Sequence, residues 1–299
     1  MEAARFACQD QTHPAGTLYV VATPIGNWAD ITLRALYILN MADCIACEDT
    51  RHTASLLRRY GIMKPLLAVH QHNEREGAVQ IAEKLQQGER VAYVSDAGTP
   101  AISDPGARLV ASIRSVGLPI LAIPGVSSVT TALSVCGDDQ GQGFTFRGFL
   151  STKGKEHVQA LASIASSPGT QVFFEAPHRI ESTLKAFAEL AHDRKISIAR
   201  ELTKQFETVC TFNAGEAAQW IRSQKNNSKG EFVLVVHAQA AAEDSQVFNE
   251  QVQKILMPLM EALPLKQAVT LTGELTGLSK NQLYDHALAL KNQKEQNDQ

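Results

Sequence analysis

Several large functional classes are excluded by what this chain does not contain. It has no excess of positive charge: 28 Lys and Arg stand against 31 Asp and Glu, for a net charge of −3. Any contact with nucleic acid must therefore come from local patches. No run of about 18 apolar residues exists, so no membrane-spanning helix and no membrane partner are expected. Residues 1–16 lack the apolar core of a signal peptide and read as a flexible extension. Cysteine is scarce and odd in number, five in all, which without a secretory signal points to reduced thiols and a cytoplasmic location. The motifs G-x-x-x-x-G-K-[ST], G-x-G-x-x-G after a strand, and G-x-S-x-G are absent. Phosphoryl, hydride and acyl transfer thus lose their usual signatures. Cys44-Ile45-Ala46-Cys47 is a C-x-x-C match without a second pair at zinc spacing. In an extended segment its two thiols face opposite sides, so no metal is expected. His70 and His72 read as a solvated or loop pair.

What is present is an alternation of short apolar runs with helical patterns. Strands are expected at Thr17 to Ala22, Cys44 to Cys47, Val91 to Val94 and Ile120 to Ile123. Helices are expected after Asp30 or Thr32, around Ser55 to Tyr60 and Ala78 to Gln87, near Ala107 to Val116, and after Ser127-Ser128. Such alternation implies an α/β fold with a mostly parallel sheet and crossover helices. The polar, Gly-rich stretch around Gly137 to Gly143 divides an N-terminal α/β domain (17–136) from a second one (144–239). The latter has strands near Phe144 to Phe149, Gln171 to Phe174, Ile196 to Arg200 and Phe232 to His237. From residue 240 to 299 the periodicity is helical. There Lys266 to Thr276, the break at Gly277, and Ser279 to Leu290 with its Ser279/Gln282 capping box resemble a helix-turn-helix. A hairpin packing on the body or on a partner subunit fits the same pattern. The second helix is not strongly basic, which speaks against reading a DNA major groove with it.

The loop Ser95-Asp96-Ala97-Gly98-Thr99-Pro100-Ala101-Ile102-Ser103-Asp104-Pro105-Gly106 follows the buried run at Val91, where α/β proteins place ligands. It carries two aspartates and several hydroxyls but no Lys or Arg. A phosphate cradle is made of N–H groups, usually with a cation. The loop therefore suits a cationic or hydroxyl-rich ligand, or else is a tight structural turn.

Seven segments in order carry a resemblance. They are Leu18 to Asn27, Glu48-Asp49-Thr50-Arg51, the Ser95 to Gly106 loop, Pro124 to Ser128, Phe174-Glu175-Ala176-Pro177-His178-Arg179, Ala199 to Lys204, and Lys229-Gly230-Glu231-Phe232. Together they resemble the tetrapyrrole methylase superfamily, and within it the bacterial 16S rRNA (cytidine 2′-O)-methyltransferases. The resemblance implies two α/β domains with an S-adenosylmethionine cleft between them and a homodimer. It also implies methylation of the ribose 2′-OH of a decoding-centre cytidine in the small ribosomal subunit. Cofactor contacts would fall on Pro24, Ile25, Gly26, Asp96, Ala97, Gly98, Thr99, Ile102 and Asp104, with Ser127 and Ser128 at a helix start. Ala176, Pro177, Leu202 and Gly230 would line the adenosine. The tetrapyrrole branch has a Gly-rich first loop ending in Asp. Here that loop is Pro24-Ile25-Gly26-Asn27, which favours the RNA branch over a small-molecule methyltransferase. A non-enzymatic nucleic-acid-binding protein is a third reading, and would show no affinity for S-adenosylmethionine.

A 2′-hydroxyl is a poor nucleophile at neutral pH, so a proton acceptor is expected. Glu48 and Glu201 each end an apolar strand beside an Arg, and either can be the base or half of a structural ion pair. For holding RNA, the available cations near these motifs include Arg51, Lys153, Lys155, Arg179, Arg200 and Lys204.

Overall fold

The computed structural model describes residues 1–224, 226–239 and 245–278, together with 280, 283, 284, 286–288 and 290. They fall into two compact units, Met1–Ala238 and Gln239–Gln299.

In chain order the first half of the larger unit comprises α1 (Glu2–Cys8), β1 (Leu18–Val21), α2 (Leu33–Met41), β2 (Cys44–Cys47), α3 (Thr50–Arg59), β3 (Leu66–Ala68), α4 (Glu74–Gln86), β4 (Val91–Val94), α5 (Ala107–Ser115), β5 (Ile120–Ile123) and α6 (Ser128–Cys136). Its five strands form one sheet in the order β3-β2-β4-β1-β5, and every pairing is parallel. Helices cover both faces. Tyr19, Ile45, Cys47, Ala92 and Val94 pack with Ala35, Ile38 and Leu39 of α2, while Leu18, Ala46, Val91 and Tyr93 pack with α4 and α5 through Ile81, Leu85, Leu109 and Ile113. Burial on both faces is why these strands read as unbroken apolar runs. Thr32, not Asp30, caps α2, its hydroxyl accepting from Ala35 N at 3.1 Å. Strand β3, not anticipated from the sequence, is three residues long and only half buried.

The expected flexible extension is not loose. Helix α1 buries Ala4 and Cys8 against α2. The segment after it is pinned by the Tyr19 hydroxyl donating to Pro14 O (2.8 Å) and Arg90 Nε donating to His13 O (3.0 Å). Its anchors are backbone carbonyls, which composition does not display.

The second half comprises β6 (Phe144–Phe149), α7 (Gly154–Ser166), β7 (Thr170–Glu175), α8 (Ile180–Leu190), β8 (Lys195–Arg200), β9 (Thr208–Asn213), α9 (Ala214–Ser223) and β10 (Phe232–Val236). Here the pairing is mixed. In the order β6-β7-β10-β8-β9 only β6 and β7 run parallel, whereas β7–β10, β10–β8 and β8–β9 are antiparallel. Strand β9 was not foreseen. It returns from β8 through a short hairpin, so no crossover helix separates the two.

The two halves are joined by packing. Val129, Ala132 and Cys136 of α6 lie against Val172, Ala199, Leu202 and Val233 of the second sheet. The polar stretch between the halves is also fastened. Asp138 Oδ2 accepts from Thr170 Oγ1 and from Ala238 N (3.0 Å), beside the buried His237, whose Nε2 shares a hydrogen bond with Ser197 Oγ at 2.6 Å.

The smaller unit contains α10 (Ser245–Ala262) and α11 (Leu265–Thr276). Val252, Leu256, Ala268, Val269, Leu283 and Ala287 form its core. Gly277 ends α11 in the left-handed conformation at φ 74°, as a helix-terminating glycine should. The expected capping pair, Ser279 and Gln282, lies outside the described residues.

Candidate active site

The loops that leave the C-terminal ends of β1, β4 and β5 meet at one edge of the parallel sheet, where open α/β sheets bind ligands. Thr23 and Gly98 form an antiparallel bridge, with Thr23 N donating to Gly98 O (2.9 Å) and Gly98 N to Thr23 O (3.0 Å). The Thr99 hydroxyl donates to Val126 O at 3.1 Å, tying the β4 loop to the β5 loop. The β4 loop is contorted: Ala101 and Ser103 hold φ of 68° and 65°, a region that disfavours residues other than glycine and is populated mainly at functional sites. Its far end is fixed by Glu74 of α4. This carboxylate, 6% exposed, accepts from Gly106 N and Leu109 N, both at 3.0 Å, through one oxygen. It so caps α5, which has no side-chain cap of its own.

Between these loops and the second sheet lies a cavity of about 340 Å³. The first half contributes Ile25, Ala97, Gly98, Thr99, Ile102, Ser103 and Asp104, then Ser127, Ser128 and Val129 from the start of α6. The second half contributes Phe149, Phe174 to Pro177, Ala199, Leu202 and Glu231 to Val233. These come from the ends of β6, β7 and β8 and the start of β10, which parallel β6–β7 and antiparallel β7–β10 and β10–β8 pairing bring to one edge. Among the described residues the wall is mostly apolar, with three carboxylates, Asp104, Glu175 and Glu231, and no Lys or Arg in it. Phe174 is held edge-on between Phe146 (5.0 Å) and Phe149 (5.2 Å). Helix α6 presents its N-terminus here with no side-chain cap, so its first N–H groups and the helix dipole favour an anionic group.

Of the residues expected to contact a cofactor, Ile25, Ala97, Gly98, Thr99, Ile102, Asp104, Ser127, Ser128, Ala176, Pro177 and Leu202 line this cavity, whereas Pro24, Gly26, Asp96 and Gly230 do not. The two glycines have another reason to be there. A Cβ on Gly26 would stand 2.5 Å from Lys204 Cγ, and one on Gly230 would stand 2.5 Å from Glu201 Cγ. They make room for the strap Glu201 to Lys204, which crosses from the second sheet over the first loop. Asp96 instead accepts from Asp49 N at 3.2 Å, coupling the β4 loop to the end of β2. Phe149, Phe174, Val129, Ala199, Phe232 and Val233 were not anticipated; Phe149 stands out only in the structure, as a large apolar side chain left 59% exposed at a strand end.

The two candidate bases separate clearly. Neither pairs with the Arg next to it. Glu201 accepts from Lys204 Nζ (2.8 Å) and Glu231 N (3.0 Å). Burial pushes its pKa up, but those hydrogen bonds and the charges of Lys204 and Arg200 outweigh burial and hold it below the usual carboxylate value. The carboxylate of Glu48 has no hydrogen-bond or ion-pair partner among the described residues. Burial, then the charges of Asp96 and Asp104, raise its pKa, with His70 opposing. Asp104 is raised chiefly by burial, the Ser95 hydroxyl opposing and Asp96 adding.

Three of the cations expected to hold RNA are engaged within the fold. Arg179 pairs with the buried Glu175 (Nη2–Oε1 2.7 Å) and donates to Leu150 O. Glu175 also accepts from Ala176 N and the Thr183 hydroxyl, so this network shapes the Ala176-Pro177 turn. Arg200 donates to Lys229 O and Phe206 O, and Lys204 bridges Glu201 and Glu231. Arg51, Lys153 and Lys155 remain exposed. Cys44 and Cys47 are free, buried thiols on opposite faces of the sheet, and burial pushes Cys47 up to about 11.

Comparison with known proteins is consistent with this architecture. The family model for tetrapyrrole (corrin/porphyrin) methylases matches residues 17–218, and that for the RsmI C-terminal HTH domain matches 246–291. Cobalt precorrin-4 methyltransferase superposes with a TM-score of 0.57 at 18% identity, over 74% of this chain and 95% of its own. Uroporphyrin-III C-methyltransferase of Thermus thermophilus, solved with S-adenosylhomocysteine, superposes at 0.52 and 16%, over 74% of this chain and 96% of its own. Ribosomal RNA small subunit methyltransferase I of Neisseria meningitidis serogroup B is 47% identical, covering 93% of this chain and 94% of that protein. Its counterpart from Escherichia coli O157:H7 is 43% identical over 94% and 97%. Similarity of this degree, running through the strand-end loops that build the cavity and on into the terminal helices, shows that the chain belongs to the tetrapyrrole (corrin/porphyrin) methylase family and, within it, to the ribosomal RNA small subunit methyltransferases I.

Proposed function

We propose that this chain is an S-adenosylmethionine-dependent methyltransferase that methylates the ribose 2′-OH of a decoding-centre cytidine in 16S rRNA. It would work as a cytoplasmic homodimer on the small ribosomal subunit. The observation that carries the reading is identity of 43–47% to ribosomal RNA small subunit methyltransferases I over more than nine-tenths of both chains. The cavity's chemistry supports it independently. S-adenosylmethionine is a cation with a ribose diol, an apolar-faced adenine and a carboxylate, and has no phosphate. An apolar slot rimmed by Asp104 and Glu231, with an uncapped helix N-terminus and no Lys or Arg, suits those groups.

Ser127 and Ser128 at the start of α6 would hold the carboxylate. Asp104 would face the cationic end, and Phe174, Ala176, Pro177 and Leu202 would pack the adenosine. When bound, the cofactor supplies a methyl group already activated toward a nucleophile. The protein's remaining work is to position the ribose oxygen, exclude water and accept its proton. Glu48 is the group assigned to that proton. Its carboxylate has no partner among the described residues, and burial with the charges of Asp96 and Asp104 raises its pKa, which favours it as acceptor over the lowered Glu201; neither side chain lines the cavity itself. Lys153, Lys155 and Arg51 are exposed cations available to the RNA.

The test is to incubate the purified protein with S-adenosylmethionine and small subunits from cells lacking it, and to analyse the rRNA nucleosides by mass spectrometry. One 2′-O-methylcytidine per subunit is expected. No ribose methylation, or transfer to a tetrapyrrole instead, refutes the assignment.

A further inference from the structure

Helix α3 begins beside Glu48 and runs away from the cavity with an unusual exposed face. Its buried side is Thr53, Leu56 and Leu57, and its outward side is Arg51, His52, Ser55, Arg58 and Arg59, spaced at the helical repeat. The helix contains no acidic residue. Among the described residues its one ion pair joins Arg51 to the N-cap Asp49 at 3.7 Å across an exposed pair, an interaction of little strength in water. Arg58 and Arg59 have no ion-pair partner among the described residues. Arg59 is instead held with its guanidinium 4.2 Å from the ring centre of Trp28, a cation–π contact. Trp28 is itself tethered where the Tyr60 hydroxyl donates to its carbonyl at 2.5 Å.

Helix electrostatics do not account for this face. Cations in the last turn complement the dipole, which suits Arg58 and Arg59, but Arg51 in the first turn opposes it. On a chain of net charge −3, a helix face carrying three arginines is a local departure that complements an anion. Its placement says which anion. Asp49 N donates to Asp96 in the β4 loop, and Trp28 lies three residues beyond Ile25 of the cavity wall. Both ends of the ridge are therefore bonded to loops of the site, and Arg51 to Arg58 spans about 10 Å along the helix axis.

We infer that the outer face of α3, with Arg59 braced on Trp28, is the rail that grips the sugar-phosphate backbone of the substrate RNA beside the target nucleotide. The inference rests on the rRNA methyltransferase reading. Arginine is suited to the task, because its planar fork meets phosphate oxygens in pairs.

The experiment compares full-length wild-type protein with the triple variant Arg51→Gln/Arg58→Gln/Arg59→Gln, measuring methyl transfer to unmethylated small subunits between 50 and 200 mM KCl. Charge-assisted contacts of this kind lead us to expect a KM for the subunit raised at least about tenfold. The log KM against log salt slope should fall by about 2, near 0.7 per lost phosphate contact. Calorimetry should find S-adenosylmethionine affinity retained, which shows an intact fold. A control pair on α5, Arg108→Gln/Arg114→Gln, should leave KM and slope alone. Unchanged KM and slope in the triple variant overturn the inference, as does an equal loss in the α5 control. A wild-type protein that methylates no subunit overturns the functional reading instead, so the two failures are distinguishable.

Discussion

Replacing Glu74 should loosen the active-site loop from behind. Its Oε1 accepts from two buried backbone N–H groups, Gly106 N and Leu109 N, each at 3.0 Å. These are the orphan donors of a helix whose own N-terminal residue offers no side chain. In Glu74→Ala both donors lose a charged acceptor inside the fold. At about 1.5–3 kcal/mol for each charge-assisted bond, the expected destabilisation is about 3–6 kcal/mol. Glu74→Gln keeps a carbonyl oxygen in place and loses only the charge, so it should cost about 1 kcal/mol. Urea unfolding measures both. Hydrogen exchange adds the local readout: peptides over the Ser95 to Leu109 segment should lose protection in Glu74→Ala and regain most of it in Glu74→Gln. Because that loop supplies Thr99, Ile102 and Asp104 to the cavity, S-adenosylmethionine affinity should fall in parallel. A Glu74→Ala protein within about 1 kcal/mol of wild type, with normal exchange over this segment, would show that the cap contributes little.

Three further outcomes are expected. Glu48→Gln should lower kcat by about 10²–10⁴-fold with little change in cofactor affinity. It should also remove the acidic limb of the wild-type pH–rate profile, which lies above the ordinary carboxylate range because burial and Asp96 raise Glu48; an unaltered limb assigns the proton elsewhere. Burial lowers the pKa of His237, with Asp138 and Asp139 opposing and Lys195 and Arg194 adding. The unfolded chain therefore binds a proton first, and stability should decline as pH falls below about 6.5. His237→Gln should flatten that slope in thermal melts, and a slope identical to wild type argues against the assignment. Gly26→Val should displace the Lys204 stem and reduce stability, and Lys204→Ala in the same chain should restore part of it; additive effects in a double-mutant cycle would deny the contact.

The parts of the site that sequence made legible are those in which chemistry is local. The β4 loop announced itself through Gly98, Asp104 and the absence of cations, and the Ser127-Ser128 start of α6 through its position after an apolar strand. The parts that stayed hidden depend on partners distant in the chain. Nothing near Gly106 says that its helix is capped from residue 74, and nothing in Glu201 says that Lys204 and the Glu231 backbone will hold it. Arg179 and Arg200 look like surface cations in one dimension and become internal only once Glu175 and the Lys229 carbonyl are in place. The alternation of strand and helix correctly indicated α/β layers. It did not reveal strand direction in the second half, because β9 follows β8 with no helix between them and β10 enters the sheet from the far end.

The position of β10 has a consequence during synthesis. It is the last strand of its sheet to emerge from the ribosome and yet lies between β7 and β8, with five paired positions on each side. A nascent chain that has not reached Val236 lacks the middle of the sheet, not its edge, and β7 and β8 have only each other's open flanks to wait beside. Its opening residues, Phe232 and Val233, also form part of the cavity wall. The parallel sheet is built around β4 and can close early, whereas the ligand pocket is completed only when this late strand slides in. Non-local insertion of this kind is slow, so the newly made protein should pass through a period in which half of it is folded and none of it can bind its cofactor.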